Sequence, residues 1–275
     1  MHVATLNDVK SFWEENPLFE GESRHSTGSR EFFEEHSAVY VQDCFAGVLD
    51  ERIFPAKIQG AVVLDLGCGP GFWAVELAKR GAVVTAADLT ERALELTGMR
   101  SQIFNAPISI QLENAEQLSF ERETFSHVNC QGVIHHTPNT EACVSEIARI
   151  LKPGGTASIS VYYRNLLLRN WAIIRPLGLF ISLLGGKMKG RGREGIFKLS
   201  KIDDLVRVFD GAENPIGKAY TYKTFRNLLE PYFEVQEVFL HFFPARSLPF
   251  SLSPRLHRWL DAKVGFMIFA NVQKL

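Results

Sequence analysis

The stretch Val62-Val63-Leu64-Asp65-Leu66-Gly67-Cys68-Gly69-Pro70-Gly71 decides the fold. A short aliphatic run leads straight into alternating glycines, and Phe72 to Arg80 then repeats apolar positions at helical spacing. Strand, tight turn and helix in that order are the opening unit of an open α/β sheet. Glycine is needed where the chain turns sharply and where a ligand must approach the backbone with no Cβ in the way. The amides at the start of the helix favour an anionic group. Outward from this unit the alternation continues: strand Ala82 to Ala87, helix Glu91 to Phe104, strands Ile108 to Leu112 and Ser126 to Gln131, helix Thr140 to Leu151, and strand Thr156 to Tyr162. Near-continuous β-rich runs separated by helices predict a parallel sheet covered on both faces. The turn Lys152-Pro153-Gly154-Gly155 is expected to stop one helix and feed the next strand.

The flanks read differently. Val9 to Glu15 and Glu31 to Ile53 have helical periodicity, with a polar loop from Gly21 to Gly28 between them. After Tyr163 the regular alternation breaks into an insertion, with helices predicted near Leu166 to Leu184 and Ser200 to Phe209, joined by a basic, glycine-containing segment from Gly185 to Gly195. Helix Tyr222 to Leu229, strand Phe233 to His241 and a closing strand Gly265 to Val272 resume the sheet. The expected organisation is an N-terminal helical lid (1–58), a Rossmann-like core (59–163), a helical cap (164–220) and the C-terminal part of the core sheet (221–275).

Composition narrows the class. A chain of 275 residues with 46% apolar composition can bury a large core without disulfides or metals. Cys44, Cys68, Cys130 and Cys143 form no paired spacing, and no His, Cys, Asp and Glu cluster has ligand spacing, so no metal is expected. The N-terminus lacks a basic stretch followed by an apolar one, and a cytoplasmic location is expected. The net charge of −1 hides an asymmetry: residues 1–60 carry eleven acids and five bases, whereas residues 164–201 carry nine bases and one acid.

The turn has the spacing GxGxG, with Phe72 where a dinucleotide-binding turn places its third glycine. That favours S-adenosylmethionine, whose amino-acid end meets the turn, over a pyrophosphate. Seventeen residues beyond Gly71, Asp88 ends the next strand, where a carboxylate can accept both hydrogen bonds of a ribose diol. The strings VLDLGCGPG, AADLT, ENAEQLSF, FSHVNCQGVIHHTPNT and EIARILKPGG together resemble the successive motifs of class I S-adenosylmethionine-dependent methyltransferases of the ubiquinone/menaquinone-biosynthesis type. The resemblance covers about residues 60–162 and implies a seven-stranded, mostly parallel sheet. It implies that Asp65, Gly67, Cys68, Gly69 and Gly71 surround the amino-acid moiety of the donor. Asp88 takes the ribose, Leu89 lies against adenine, and Gln131 and Gly132 approach the sulfonium. Where the family usually places aspartate before alanine for the adenine amino group, this chain has Asn114-Ala115, whose amide oxygen can still accept that bond.

Methyl transfer is an in-line displacement, so alignment and proton removal are what the protein supplies. His135 and His136 follow the fourth strand at its C-terminal end and are the candidate bases; their other reading is packing under the next helix. Trp13, Phe19, Phe32, Phe33, His36 and Tyr40 are either a lid enclosing the acceptor or plain helix packing. The aliphatic and basic insertion over 164–201, ending in Lys187, Lys189, Arg191 and Arg193, is either a cap packed on the core or a peripheral membrane contact. The expected partner is a small, lipophilic acceptor methylated on O, N or C. A nucleic-acid substrate is disfavoured, because Asn129-Cys130-Gln131-Gly132 matches neither the amino-methylating nor the cytosine-attacking pattern and there is no broad basic surface. An inactive binding subunit would have no need for the intact glycines and Asp88.

Overall fold

The computed structural model describes residues 4–183, 196–248 and 250–275. Two helices, α1 (Leu6–Glu15) and α2 (Arg30–Phe45), precede β1 (Val62–Leu66), α3 (Phe72–Lys79), β2 (Val83–Asp88), α4 (Glu91–Ile103), β3 (Ile108–Leu112) and β4 (Phe125–Gln131). Next come α5 (Thr140–Ile150), β5 (Leu151–Tyr163), α6 (Leu166–Arg169), α7 (Trp171–Leu183), α8 (Ile202–Arg207) and β6 (Ala219–Tyr220). The chain ends with α9 (Tyr222–Leu229), β7 (Phe233–His241), α10 (Pro254–Val264) and β8 (Met267–Lys274).

The sheet order is β3-β2-β1-β4-β5-β8-β7, with β6 a two-residue parallel addition beside Tyr162 and Tyr163. Strands β1 to β5 are parallel, and β8 runs antiparallel between β5 and β7. The order reverses at β1 and β4, so a crevice opens beyond their C-terminal ends, where such sheets bind ligands. Side-chain alternation along β1 divides the core. Leu64 and Leu66 join Val144 and Ile147 of α5 and Phe225 of α9 on one face, while Val63 joins Trp73, Ala74 and Leu77 of α3 on the other.

Three boundaries differ from the sequence reading. Helix α2 stops at Phe45 instead of continuing to Ile53, because Ala46 and Gly47 take positive φ and both donate to the Val41 carbonyl; residues Glu51–Ile53 form a separate 3-10 turn. Strand β5 begins at Leu151, directly after α5, so the Lys152–Gly155 stretch is part of the strand. Helix α10 was not expected, although Ser253 caps it and Pro254 opens it, the local signals for a helix start. The basic residues Lys187, Lys189, Arg191 and Arg193 lie outside the described residues.

Two polar anchors hold the N-terminal helices over the sheet. Glu14 of α1 accepts from the backbone amides of Glu91 (2.9 Å) and Arg92 (3.0 Å), supplying the cap that Thr90 does not give α4. Arg100 of α4 is 2% exposed and has no carboxylate hydrogen-bonded to it; its guanidinium donates to Pro70 O in the glycine turn (3.2 Å), to Phe33 O (3.4 Å), to Ser37 Oγ and to His36 Nδ1 (3.1 Å). Burial lowers its pKa to about 10, which leaves it charged at neutral pH.

At the end of β7, His241 is wedged between Asp261 of α10 (Nδ1 to Oδ2, 2.5 Å) and Asp50 (Nε2 to Oδ2, 2.8 Å). Burial disfavours its charged form, but the two carboxylates outweigh that and raise its pKa above 6.5. Asp50 is opposed by burial too, yet its bonds to His241 and Arg52 hold it well below 3.8. The His241 contribution to stability is therefore fully present below pH 6.5 and fades as pH rises through the raised imidazole value; the Asp50 contribution is full above pH 3.8 and fades as pH falls through its lowered value. His241→Gln, which leaves the buried Asp261 carboxylate without its cation and Asp50 with Arg52 alone, is expected to cost about 3 kcal/mol. Urea unfolding across pH should show the largest gap from wild type between pH 3.8 and 6.5 and a shrinking gap at alkaline pH; a gap constant with pH contradicts the assignment.

Candidate functional site

Two cavities meet beyond the C-terminal ends of β1 and β4. The first is lined by Gly67 and Gly69 of the turn, by Asp88, Leu89 and Thr90 after β2, by Glu113, Asn114 and Ala115 after β3, and by α1 from above. The second lies between α2, the end of β5 and the segment after β7; His135, Tyr162, Asp210, Tyr40 and His36 are among its walls. Trp13, Leu18, Gln131, Gly132 and His136 line both and form the junction.

The turn is shaped by contacts that only glycine allows. A Cβ on Gly67 (φ 72°) would stand 2.2 Å from Val133 Cγ2, and one on Gly71 (φ 76°) 2.9 Å from Thr97 Oγ1. Asp88 fixes the open side of the turn: its carboxylate accepts from the Gly69 amide (3.0 Å), the Thr90 amide (3.0 Å) and the Thr90 hydroxyl (2.8 Å). Burial nevertheless raises its pKa. Those three bonds leave lone pairs on a carboxylate that already borders the cavity.

Of the residues assigned to the donor by resemblance, Gly67, Gly69, Asp88, Leu89, Asn114, Ala115, Gln131 and Gly132 line the first cavity, whereas Asp65, Cys68 and Gly71 do not. Asp65 lies beneath the turn, accepting from Asn129 Nδ2 (2.7 Å), and burial raises its pKa to about 7. The Cys68 thiol is buried against Thr97, and Gly71 starts α3. Asn114 Oδ1 accepts from the Glu116 amide (3.0 Å), closing its own loop. Gln131 Nε2 donates to Asn129 Oδ1 (2.9 Å) and to Ser158 O and Oγ (3.0 Å each), which leaves its buried Oε1 without a partner at the junction.

The aromatic group divides as well. Trp13, Phe19, His36 and Tyr40 line the second cavity, while Phe32 and Phe33 are fully buried against Leu96 of α4 and belong to the packing that holds α2. Since the Arg100 guanidinium only donates, His36 Nδ1 accepts and its proton sits on Nε2; burial, then Arg100, keeps this imidazole neutral.

The adjacent histidines have unlike surroundings. His135 is buried with both ring nitrogens unpartnered, and burial followed by the charges of His136 and Lys218 lowers its pKa. His136 donates from Nδ1 to Ile216 O (2.7 Å), and its Nε2 stands 3.3 Å from Asp210 Oδ2, which also accepts the Tyr162 hydroxyl (2.5 Å). Lys218 Nζ fixes the loop between His136 and α5 by donating to Thr137 O (2.7 Å), Pro138 O (2.9 Å) and Thr140 Oγ1 (2.9 Å). Sequence reasoning missed Tyr162 and Asp210. Nothing in their spacing joins the end of β5 to a turn in the insertion; only the folded cap brings them to His136.

Known proteins resemble this chain in part of its sequence and in its fold. Residues 64–159 match the methyltransferase-domain family. A ubiquinone biosynthesis O-methyltransferase of Chromobacterium violaceum is 36% identical over 111 residues, covering 40% of this chain and 48% of that protein. Its counterpart in Idiomarina loihiensis is 33% identical over 156 residues, 56% of this chain and 61% of that protein. The chain thus spans about half the length of the curated relatives it matches. The magnesium protoporphyrin IX methyltransferase of Synechocystis PCC 6803, solved with SAH bound, superposes with a TM-score of 0.55 over 98% of this chain and 99% of its own, at 13% identity, a likeness of fold. Residues 64–159 of this chain thus resemble a methyltransferase domain, and the chain has the class I methyltransferase fold.

Proposed function

We infer that the first cavity binds S-adenosylmethionine and the second a small-molecule acceptor with a hydroxyl group, so that a methyl group crosses between them at the junction. The observation that carries this reading is the meeting of two cavities, one floored by a glycine turn and Asp88 and the other walled by aromatics around a His136–Asp210–Tyr162 chain. The residues present fit the donor. Gly67 and Gly69 leave the backbone open to its amino-acid end, Asp88 has lone pairs for a ribose diol, and Leu89 and Ala115 offer apolar contact for adenine. The donor supplies, when bound, an electrophilic methyl on a sulfonium.

The protein's part is orientation and proton uptake. Trp13, Tyr40 and Phe269 wall an acceptor in and exclude water. Because His136 Nδ1 is committed to Ile216 O, the ring's basic atom is Nε2, and Nε2 with the Asp210 carboxylate forms a pair that can hold one further proton. The acceptor hydroxyl gives its proton to this pair. Tyr162, donating to Asp210, orients the carboxylate.

Two measurements test the reading. Calorimetry with S-adenosylhomocysteine should show saturable binding that Asp88→Ala weakens by about tenfold or more, the scale of a lost hydrogen bond to a charged group; equal affinity in the variant removes Asp88 from the donor site. Radiolabelled methyl transfer to a panel of phenols and aliphatic alcohols should find an acceptor. With it, Asp210→Asn should lower kcat about a hundredfold while S-adenosylhomocysteine affinity stays at the wild-type value. Unchanged turnover in Asp210→Asn would refute the proton-uptake role without touching the donor site.

A further inference from the structure

Helix α7 is apolar on its exposed face as well as on its buried one. Its inner face packs Trp171 on Phe197 (ring centroids 5.5 Å apart), and Gly178 passes so close to Phe197 that a Cβ there would stand 2.1 Å from the ring. The outer face presents Ile173 (76% exposed), Pro176, Leu177, Phe180 (58%) and Leu183 to solvent. At 100° per residue these five fall within about 120° of arc. A continuous exposed apolar face of this kind marks an interaction surface.

Helix α10 repeats the theme. Leu256 and Trp259 (59%) are exposed between Arg255, Arg258 and Lys263, which are exposed as well. The single acid of α10, Asp261, is buried against His241, and α7 contains no acid. Exposed Arg169, Lys198 and Lys201 flank α7. The two helices leave the sheet at the same end, after β5 and β7, and Asn165 just before α6 donates to the Val264 and Gly265 carbonyls at the end of α10 (2.9 and 3.4 Å). Phe242 and Arg246, in the segment that leads from β7 to α10, line the second cavity.

We propose that the outer faces of α7 and α10 dock on an anionic lipid bilayer. Aliphatic and aromatic side chains flanked by bases and by no exposed acid of either helix match a surface that is apolar just below a layer of phosphates. A protein partner of mixed charge would leave those bases unmatched. The contact is peripheral, because among the described residues no helix is long and apolar enough to cross a membrane. This inference does not depend on the methyl-transfer reading.

The test is sedimentation of the full chain with phosphatidylcholine vesicles and with vesicles containing phosphatidylglycerol. Binding is expected to be about tenfold stronger to the anionic vesicles. Leu177→Glu with Phe180→Glu, both exposed positions, should abolish it with an unchanged melting temperature. Brominated lipid should quench the emission of Trp259, the remaining tryptophans being buried or half-buried, and Trp259→Phe should remove that quenching. Sedimentation with neither vesicle overturns the proposal, as does undiminished binding by the double variant. A wild-type dimer in light scattering that the double variant converts to monomer, without vesicle binding, assigns the face to a second copy of the chain instead.

Discussion

The approach of backbone to side chain at Gly67 and Gly71 is the constraint on which the rest depends. Val133 occupies the space a Gly67 side chain would need, and Thr97 the space at Gly71, so the end of β1, the loop after β4 and helix α4 are drawn together around bare backbone. Asp88 then pins the Gly69 amide from the neighbouring strand. The cavity floor is therefore made of main chain at a fixed height, and everything above it must be supplied by other segments. A larger residue at either glycine would spread the elements whose meeting defines the site.

What lies above is held by charge as much as by apolar packing. Arg100 reaches from α4 to the turn and to α2 in one side chain, and its cost of burial is offset in part because carbonyls, a hydroxyl and an imidazole accept from Nη1 and Nη2, while Nε is left without a partner. The same contact settles the His36 tautomer on the wall of the second cavity. The position of α2 and the protonation of that wall are thus outcomes of one interaction. The cap is tied in similarly, since Lys218 and Ile216, at its far end, fix the loop that carries His136.

The legible part of this molecule is the part whose chemistry is local. Gly67, Gly69 and Asp88 could be read because a tight turn and a strand-end carboxylate constrain neighbours in sequence, and the sheet followed from short apolar runs between helices. Asp65 and Cys68 share the same string but turn their side chains inward, a distinction that a motif does not record, and Gly71 is taken up as the N-cap of α3. Phe32 and Phe33 do not line the cavity because of their place along the helix: positions 32, 33, 36 and 40 share one face of α2, but its first turn packs on Leu96 of α4 while His36 and Tyr40, further along, reach the cavity. Asp210 and Tyr162 were illegible because their meeting depends on a cap with no periodic signal, and α10 was passed over because charged and aromatic residues interrupt its apolar pattern.

The electrostatics of the first cavity point the same way as its shape. Asp65 lies beneath the turn and Asp88 at its rim; burial, with the Asp88 charge, raises the pKa of Asp65 to about 7, and burial raises that of Asp88. Of the two carboxylates only Asp88 borders the cavity. A cation bound beside it would favour its ionised form. The unpartnered Gln131 Oε1 at the junction adds an acceptor of the same polarity.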